Sequence, residues 1–437
     1  MGVRPQPEAR MKHTTQPLPA DVDPCDVVGH GHRTLQLDEA RELILANVAP
    51  VDGHETLPLR DALGRVLCTA VRSTVDVPAH INSAMDGYAL AGADLPAEGE
   101  RAFEVLGTSW AGRPFEGAVA AGQCARIMTG ATLPAGTDTV VMQEHVRIED
   151  GRAVIAGGHR PGQNRREAGE DIRAGEVAVE AGTLLRPAQL GLIASVGVGR
   201  VDVRRRPRVA IFSTGDELRG VGESLGPGQI YDSNRYSLYG MVARLGLEVV
   251  DLGVVRDTPE ATLAAFEEAA ARADAIVTSG GVSVGEADFV VETLERFGRV
   301  GFWKVAMKPG KPIAFGHVRD ALFFGLPGNP VSAMVTFYQL VQPALQALSG
   351  AVPRDPPLLL DATCQTKLKK KAGRLEFQRG ILERGPDGRY LVRGVGHQGA
   401  GVLRSMAEAN CFIVLPLEQE TIQPGADVQV QPFAGLI

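Results

Sequence analysis

Apolar and polar positions change rhythm three times along the chain. Leu37 to Val48 (LDEARELILANV) sets its apolar residues at helical spacing, with Asp38 and Glu39 where the helix dipole favours acids, and predicts an amphipathic helix. From Pro78 to about Gln163 the texture becomes short β-like runs broken by glycine: AHINSAMDGYAL, AFEVLGTSW, CARIMTGATL and DTVVMQEHV. These predict a compact all-β module. A polar stretch from Arg165 leads into PAQLGLIASVG, where Pro187 and Gly197 bracket a short helix. Beyond Arg204-Arg205-Arg206-Pro207 the pattern turns βαβ. Strands are expected over 208–213, 247–255 and 274–278 and near 302–305, 312–315 and 321–325, with helices over 233–245, 259–272, 285–297 and 331–348. Elements of this length imply a mostly parallel sheet covered on both faces, whose strand C-terminal loops share one edge. Pro353 to Pro357 marks a further boundary. After it LLLDATC, RLEFQRGIL, RYLVRGV, NCFIVLP and DVQVQPF alternate with a period of two and read as a small antiparallel barrel or sandwich.

The fold class is therefore α/β plus β, in several domains. The expected partition is a disordered tail over 1–30, a mixed helical linking domain built from 31–77 with 165–206, a β domain over 78–164, an α/β domain over 207–350 and a C-terminal β domain over 351–437. A length of 437 residues agrees, since single cores stop growing well short of it. A net charge of −7 removes any general pull toward nucleic acid or anionic membrane, so an anionic substrate needs a local basic cluster. Five scattered cysteines without a C-x-x-C pair argue against a zinc site or a disulfide framework and for a reducing, cytoplasmic setting. No apolar run approaches the ~20 residues that cross a bilayer. The first thirty residues carry Arg4, Arg10 and Lys12 but no apolar segment of a secretion signal. The run Lys367 to Lys371, interrupted by Leu368, is expected to be a solvated loop.

Candidate chemistry gathers at the strand ends. In AIVTSGGVSVGEAD a buried strand from Ala275 ends in Ser279-Gly280-Gly281, and Ser283 and Gly285 lead into a helix start carrying Glu286 and Asp288. A strand feeding a Gly-rich loop into a helix N-terminus aims N–H groups at whatever lies above the sheet, which suits a phosphate. The order is neither G-x-G-x-x-G nor Walker A, and a bare βα turn satisfies the same local pattern. Two further strand ends carry acids: Thr214-Gly215-Asp216-Glu217 and Arg256-Asp257-Thr258. Either acid is also a plausible helix cap. Acids beside a phosphate loop repel it unless a hard cation intervenes, so Glu217, Asp257 and Asp288 argue for Mg²⁺ held by carboxylate and phosphate together. Opposite charge comes from FWKVAMKPGKPIAFG, with Lys304, Lys308 and Lys311 in one β-turn-β segment. FFGLPGNPVSAM then sends a strand through Pro327-Gly328-Asn329-Pro330 to a helix N-terminus, another possible donor end.

Assembled in this order, INSAMDGYAL, RIMTGATLPAGTDTVVMQE, STGDEL, TSGGVSVGEADF, MKPGKP, GLPGNPVSAM and NCFIVLP make the chain closely similar to the molybdopterin molybdenumtransferase family, the MoeA proteins and the gephyrin E-domain, from about Leu35 to Val430. The resemblance implies elongated homodimers of four domains. A three-layer α/β molybdopterin-binding module of one subunit would face the β domain of its partner across a shared cleft, and the C-terminal domain would be a β-barrel. It implies insertion of molybdenum from molybdate into adenylated molybdopterin, with Mg²⁺ and release of AMP. Asp86, Thr129 and Asp171 match positions the family needs for activity. Glu217, Asp257, Asp288, Lys304, Lys308, Pro327, Pro330 and Arg379 fall on functional positions as well. Thr214, Gly215, Ser279, Gly280, Gly281, Ser283, Gly285 and Gly328 belong to the same cofactor-binding loops. Molybdopterin adenylyltransferase and apo-molybdoenzymes are the implied partners. The alternatives are adenylyl transfer itself, whose enzyme resembles only 207–350, and a non-catalytic scaffold. One departure stands out: where the family commonly has serine after His-Gln-Gly, this chain has Ala400, and Ser405 is the nearest candidate to replace that hydroxyl.

Overall fold

The computed structural model describes residues 34–280, 298–351 and 357–433. The expected tail, the 285–297 helix, most of the Pro353–Pro357 boundary, and Gly281, Ser283, Gly285, Glu286 and Asp288 lie outside the described residues. The chain forms two compact units, one made of the chain up to Gly53 together with Arg205 onward, the other of His54–Arg204.

In the first unit, strands Arg208–Thr214, Ala275–Ser279 and Ala321–Leu326 are buried along almost their whole length, as expected of strands covered on both faces. Period-two alternation then assigns their side chains. Val209, Ile211 and Val277 pack with Leu238 and Val242 of helix Ser233–Arg244, whereas Ala210, Phe212 and Ile276 pack with Phe266 and Ala269 of helix Pro259–Arg272. Phe266 bridges the second layer, edge-on to both Phe212 and Phe323 at ring distances of 5.3 and 5.4 Å. The result is a three-layer α/β/α module.

The sheet runs in the order 34–35, 298–305, 312–318, 321–326, 275–279, 208–214, 248–255. It is more mixed than the pattern implies. Strand Pro312–Val318 runs antiparallel to both Gly298–Val305 and Ala321–Leu326. Connections of six and two residues are too short for a crossover, so the chain reverses, and Arg319 takes φ 54° in the tighter turn. The closing helix also differs from a single 331–348 run. It divides into Pro330–Thr336, a π-turn Phe337–Val341, and Gln342–Leu348. Pro343 has no N–H for the carbonyl of Gln339 four residues earlier, and Arg41 Nε of helix Leu37–Ala46 donates to that carbonyl instead, at 3.2 Å.

Residues 360–432 close a five-stranded barrel in the order 375–384, 390–394, 360–364, 427–432, 411–415, returning to 375–384. The short strand Met307–Lys308 pairs with its rim, Lys308 opposite Glu376. The lysine run departs from the solvated loop expected of it. Leu368 bridges to Ile422, the two-residue period turns Leu368 and Lys370 inward, and Lys370 is 6% exposed. Its Nζ donates to the carbonyls of Gln419 (2.9 Å), Leu417 (3.3 Å) and Lys371 (3.4 Å). Lys370→Ala removes a buried side chain and its three hydrogen bonds and is expected to destabilise the protein by about 1–3 kcal/mol, read as a lowered Tm, while Lys367→Ala at the exposed end of the run leaves Tm unchanged.

In the second unit a six-stranded sheet runs in the order 139–142, 87–90, 123–127, 100–109, 152–156, 146–149, around Tyr88, Phe103, Cys124, Val141 and Ile155. A separate core of Leu67, Leu185, Ile193 and Val203 joins helix Pro187–Ser195 to the paired strands His54–Pro58 and Arg200–Arg204. Among the described residues no helix is long and apolar enough to cross a membrane.

Candidate active site

The sheet brings the predicted loops of the first unit to one edge. Thr214 stands opposite Val255, Ser213 opposite Ser279, and Ser279 opposite Leu326, so the loops at 215–217, 256–258, 280 and 327–330 leave the sheet side by side. Gly280 takes φ +93°, and a Cβ there would lie 2.6 Å from the carbonyl oxygen of Thr214, so only glycine fits. Gly328 rests against it, with room for a Cβ only at 4.0 Å from Gly280 Cα. The Thr214 hydroxyl is buried beneath this junction without a partner among the described residues.

Asp257 is not the helix cap that its place ahead of Pro259 allows. Thr258 Oγ1 takes that role, accepting from Ala261 N at 3.3 Å. Burial, followed by the nearby charges of Asp216 and Glu217, pushes the Asp257 carboxyl above its ordinary range. The carboxylates of Asp216, Glu217 and Asp257 accept no hydrogen bond among the described residues, and Glu217 curls back so far that a Cβ on Gly215 would meet its Oε2 at 2.5 Å. Among the described residues no three His, Cys, Asp or Glu side chains gather closely enough to hold a metal ion by themselves. The third expected acid, Asp288, lies outside them.

A second feature sits between the α/β module and the barrel of the same unit. A cavity of about 250 Å³ is lined by Lys308, Lys311, Lys369, Arg374 and Arg379, with Glu376, Ser332 and Ala400 also in the wall. Lys304, on the same hairpin, is exposed and not part of the lining, because the turn hands Lys308 to the barrel rim and leaves Lys304 on the sheet. Lys308 Nζ meets Glu376 Oε1 at 2.9 Å, and Gln378 Nε2 donates to the other oxygen at 3.0 Å. Arg379 is 1% exposed. Its Nε donates to Ser405 Oγ at 3.0 Å and its Nη2 to the Gly399 carbonyl at 3.2 Å, while Nη1 has no hydrogen bond and no carboxylate faces it among the described residues. Burial pushes its pKa down to about 10. Ser405 is thus spent behind the arginine, also donating to Val402 O at 2.7 Å, and does not replace the hydroxyl missing at Ala400. The hydroxyl that does reach the wall belongs to Ser332.

The 327–332 turn connects the two features. Gly328 touches Gly280 on one side, and Ser332 lines the cavity on the other. Helix Pro330–Thr336 offers less than the sequence promises, since Pro330 has no N–H and that of Val331 donates to Ala400 O at 3.0 Å.

In the second unit Asp86 Oδ1 accepts from both the N–H and the hydroxyl of Thr129, each at 2.7 Å. These bonds hold the Asp86 carboxyl below the usual carboxylate range. Asp171 is exposed, its backbone N–H bonded to Val77 O at 2.9 Å. The pairing of Arg165 with Ser83 and Arg166 with Asn82 joins the segments leading to both acids. Thr129→Val removes the hydroxyl donor, so the Asp86 pKa is expected to rise toward its ordinary value. Carboxyl titration followed by NMR checks this, and an unmoved Asp86 resonance would contradict it.

Residues 35–197 match the MoeA N-terminal region (domain I and II), residues 210–347 a probable molybdopterin binding domain, and residues 361–433 the MoeA C-terminal region (domain IV). The chain is 44% identical to the molybdopterin molybdenumtransferase of Haemophilus influenzae over 404 residues, 92% of this chain and 100% of that one. The chain belongs to the molybdopterin molybdenumtransferase family. The transferase of the same name from Nostoc sp. is 38% identical, with 89% of this chain and 91% of that one covered. Among solved structures, a molybdopterin biosynthesis MoeA protein from Pyrococcus horikoshii superimposes with a TM-score of 0.78 at 28% identity, over 92% of this chain and 100% of that one. Membership makes the chain a transferase of molybdenum cofactor biosynthesis.

Several residues that line the cavity escape the motifs. Lys369 and Arg374 sit outside the motif set, and Glu376 gives no sign of facing Lys308 until the Met307–Lys308 strand pairs with the barrel. A period-two reading of 367–371 is the one signal that points to an ordered segment there.

Proposed function

We propose that the chain transfers molybdenum from molybdate to adenylated molybdopterin, cleaving the adenylate to AMP and leaving the metal on the dithiolene sulfurs. The observation that carries this reading is Arg379, a buried guanidinium with no counter-ion among the described residues, in a wall that gathers five cations. A buried cation is costly unless an anion completes it, and a small tetrahedral dianion suits a cavity of about 250 Å³. In this reading Lys308 and Arg379, with Lys311, hold molybdate, and Lys304 meets substrate outside the cavity. The loops carrying Thr214, Gly215, Ser279, Gly280, Pro327, Gly328 and Pro330 hold the pterin phosphate, joined there by Gly281, Ser283 and Gly285.

The acids fit Mg²⁺: the Asp257 carboxyl, pushed above its ordinary range by burial and by the charges of Asp216 and Glu217, accepts no hydrogen bond among the described residues and suits an added cation, and Mg²⁺ asks for only one or two carboxylates beside substrate phosphate. Glu217, Asp257 and Asp288 would hold it. When bound it would neutralise the phosphoanhydride oxygens. Asp86, kept ionised by Thr129, and Asp171 orient the attacking water or molybdate oxygen from a partner subunit. A monomer mass by light scattering at assay concentration would contradict that shared cleft.

The test is reconstitution of an apo-molybdoenzyme with purified chain, adenylated molybdopterin and molybdate, with and without Mg²⁺. Activity that needs all components supports the reading, and adenylate transfer from ATP without molybdate would overturn it. The cavity itself adds an expected result. Ala400→Ser places a hydroxyl in the wall and should tighten molybdate about 3- to 10-fold by calorimetry, the worth of one hydrogen bond.

A further inference from the structure

Asn234 opens the first turn of helix Ser233–Arg244, and no sequence motif singles it out. Its Nδ2 donates to Ser279 Oγ at 2.6 Å and to the carbonyl of Gly328 at 2.7 Å. One amide thus ties together the two loops that meet at Gly280 and Gly328. The helix start that carries it is itself anchored. Asp232, 1% exposed, accepts from Arg235 N and from Ser213 Oγ, both at 3.1 Å, so the amide cannot move without the strand end. With both N–H groups committed, the amide plane is set. Among the described residues the remaining oxygen, Oδ1, is buried without a partner, as is the neighbouring Thr214 hydroxyl. Unspent buried acceptors are rare in folded proteins and mark a place where a ligand or bound water belongs.

We infer that Asn234 is a positioning residue for the pterin phosphate. It holds the turn after strand Ala321–Leu326 against the end of strand Ala275–Ser279 at the spacing that bound substrate requires. This rests on the function proposed above. The sheet does not need the tie, because the two strands are already paired as far as Ser279 opposite Leu326. Only the 327–330 turn beyond the last pair depends on it, and misplacing a binding loop by about 1 Å can cost 10²-fold in rate.

The variants Asn234→Ala and Asn234→Asp of the full chain test this. Aspartate keeps the shape but turns an oxygen toward the Gly328 carbonyl, so it should be the worse. The expected result is a rise of about 10- to 100-fold in KM for adenylated molybdopterin, with Tm and the Kd for molybdate alone within about twofold of the native chain. Adding Ser279→Ala to Asn234→Ala should cost little more than the single change, because the two share one interaction. A native KM in both variants overturns the inference. So does a molybdate Kd that rises in step with KM, since that marks general loss of structure. A native chain that fails in the same assay instead removes the function on which the inference rests.

Discussion

Arg379→Met is expected to weaken molybdate binding by at least about 100-fold while leaving the protein folded. The guanidinium lies 1% exposed with no carboxylate facing it among the described residues, so its desolvation is uncompensated until an anion arrives. Charge-assisted hydrogen bonds to a buried dianion account for a loss of that size. Stability should change little, because exchanging a buried unpaired charge for an apolar side chain of similar length is often neutral or stabilising. What methionine loses inside the protein is the bond to Ser405 and the bond to Gly399 O. Arg379→Lys should fall between the two, retaining charge without the planar fork. Calorimetric titration with molybdate and a thermal melt decide it. A methionine variant with native affinity would show that the cavity is not the molybdate site.

Asp257→Asn should lower kcat/KM by about 10²- to 10³-fold, the cost of removing one group that stabilises charge at a reacting phosphate. The same change should raise Tm slightly without Mg²⁺. The Asp257 carboxyl is held above its ordinary range first by burial and then by Asp216 and Glu217, so its charged form works against folding, and an amide removes that repulsion. A faster, weaker enzyme at high Mg²⁺ or an unchanged rate would sink the proposed cation site. Loss of activity with a gain in stability is the pattern expected of a residue kept for function.

The two results draw on different kinds of information. Asp257 was visible as an acid at a strand end, but whether it capped a helix or faced its neighbours turned on the rotamer of Thr258, which no spacing reveals. Arg379 stood out through its motif, whereas its isolation from the carboxylates of the described residues depends on which barrel strands close around it. Lys304 and Lys308 looked equivalent on one hairpin. The three residues between them carry Lys308 into a different sheet, and of the two only it reaches the cavity. Ser405 looked like a substitute for the hydroxyl absent at Ala400, and its actual partner is the arginine.

Local pattern settled the order of elements, the buried βαβ strands, the period-two barrel strands and the glycines at strand ends, because each follows from near-neighbour sterics and from which face of an element must leave water. Helix Pro259–Arg272 keeps its expected bounds for that reason: proline and a threonine cap begin it. Packing decided the rest. Antiparallel reversal in the sheet, the π-turn served by Arg41, the inward Lys370, the grip of Asn234 on two loops and the gathering of five cations in one wall all join residues distant in sequence. Their energies come from contacts that exist only once the chain has closed on itself, so no stretch read alone carries them.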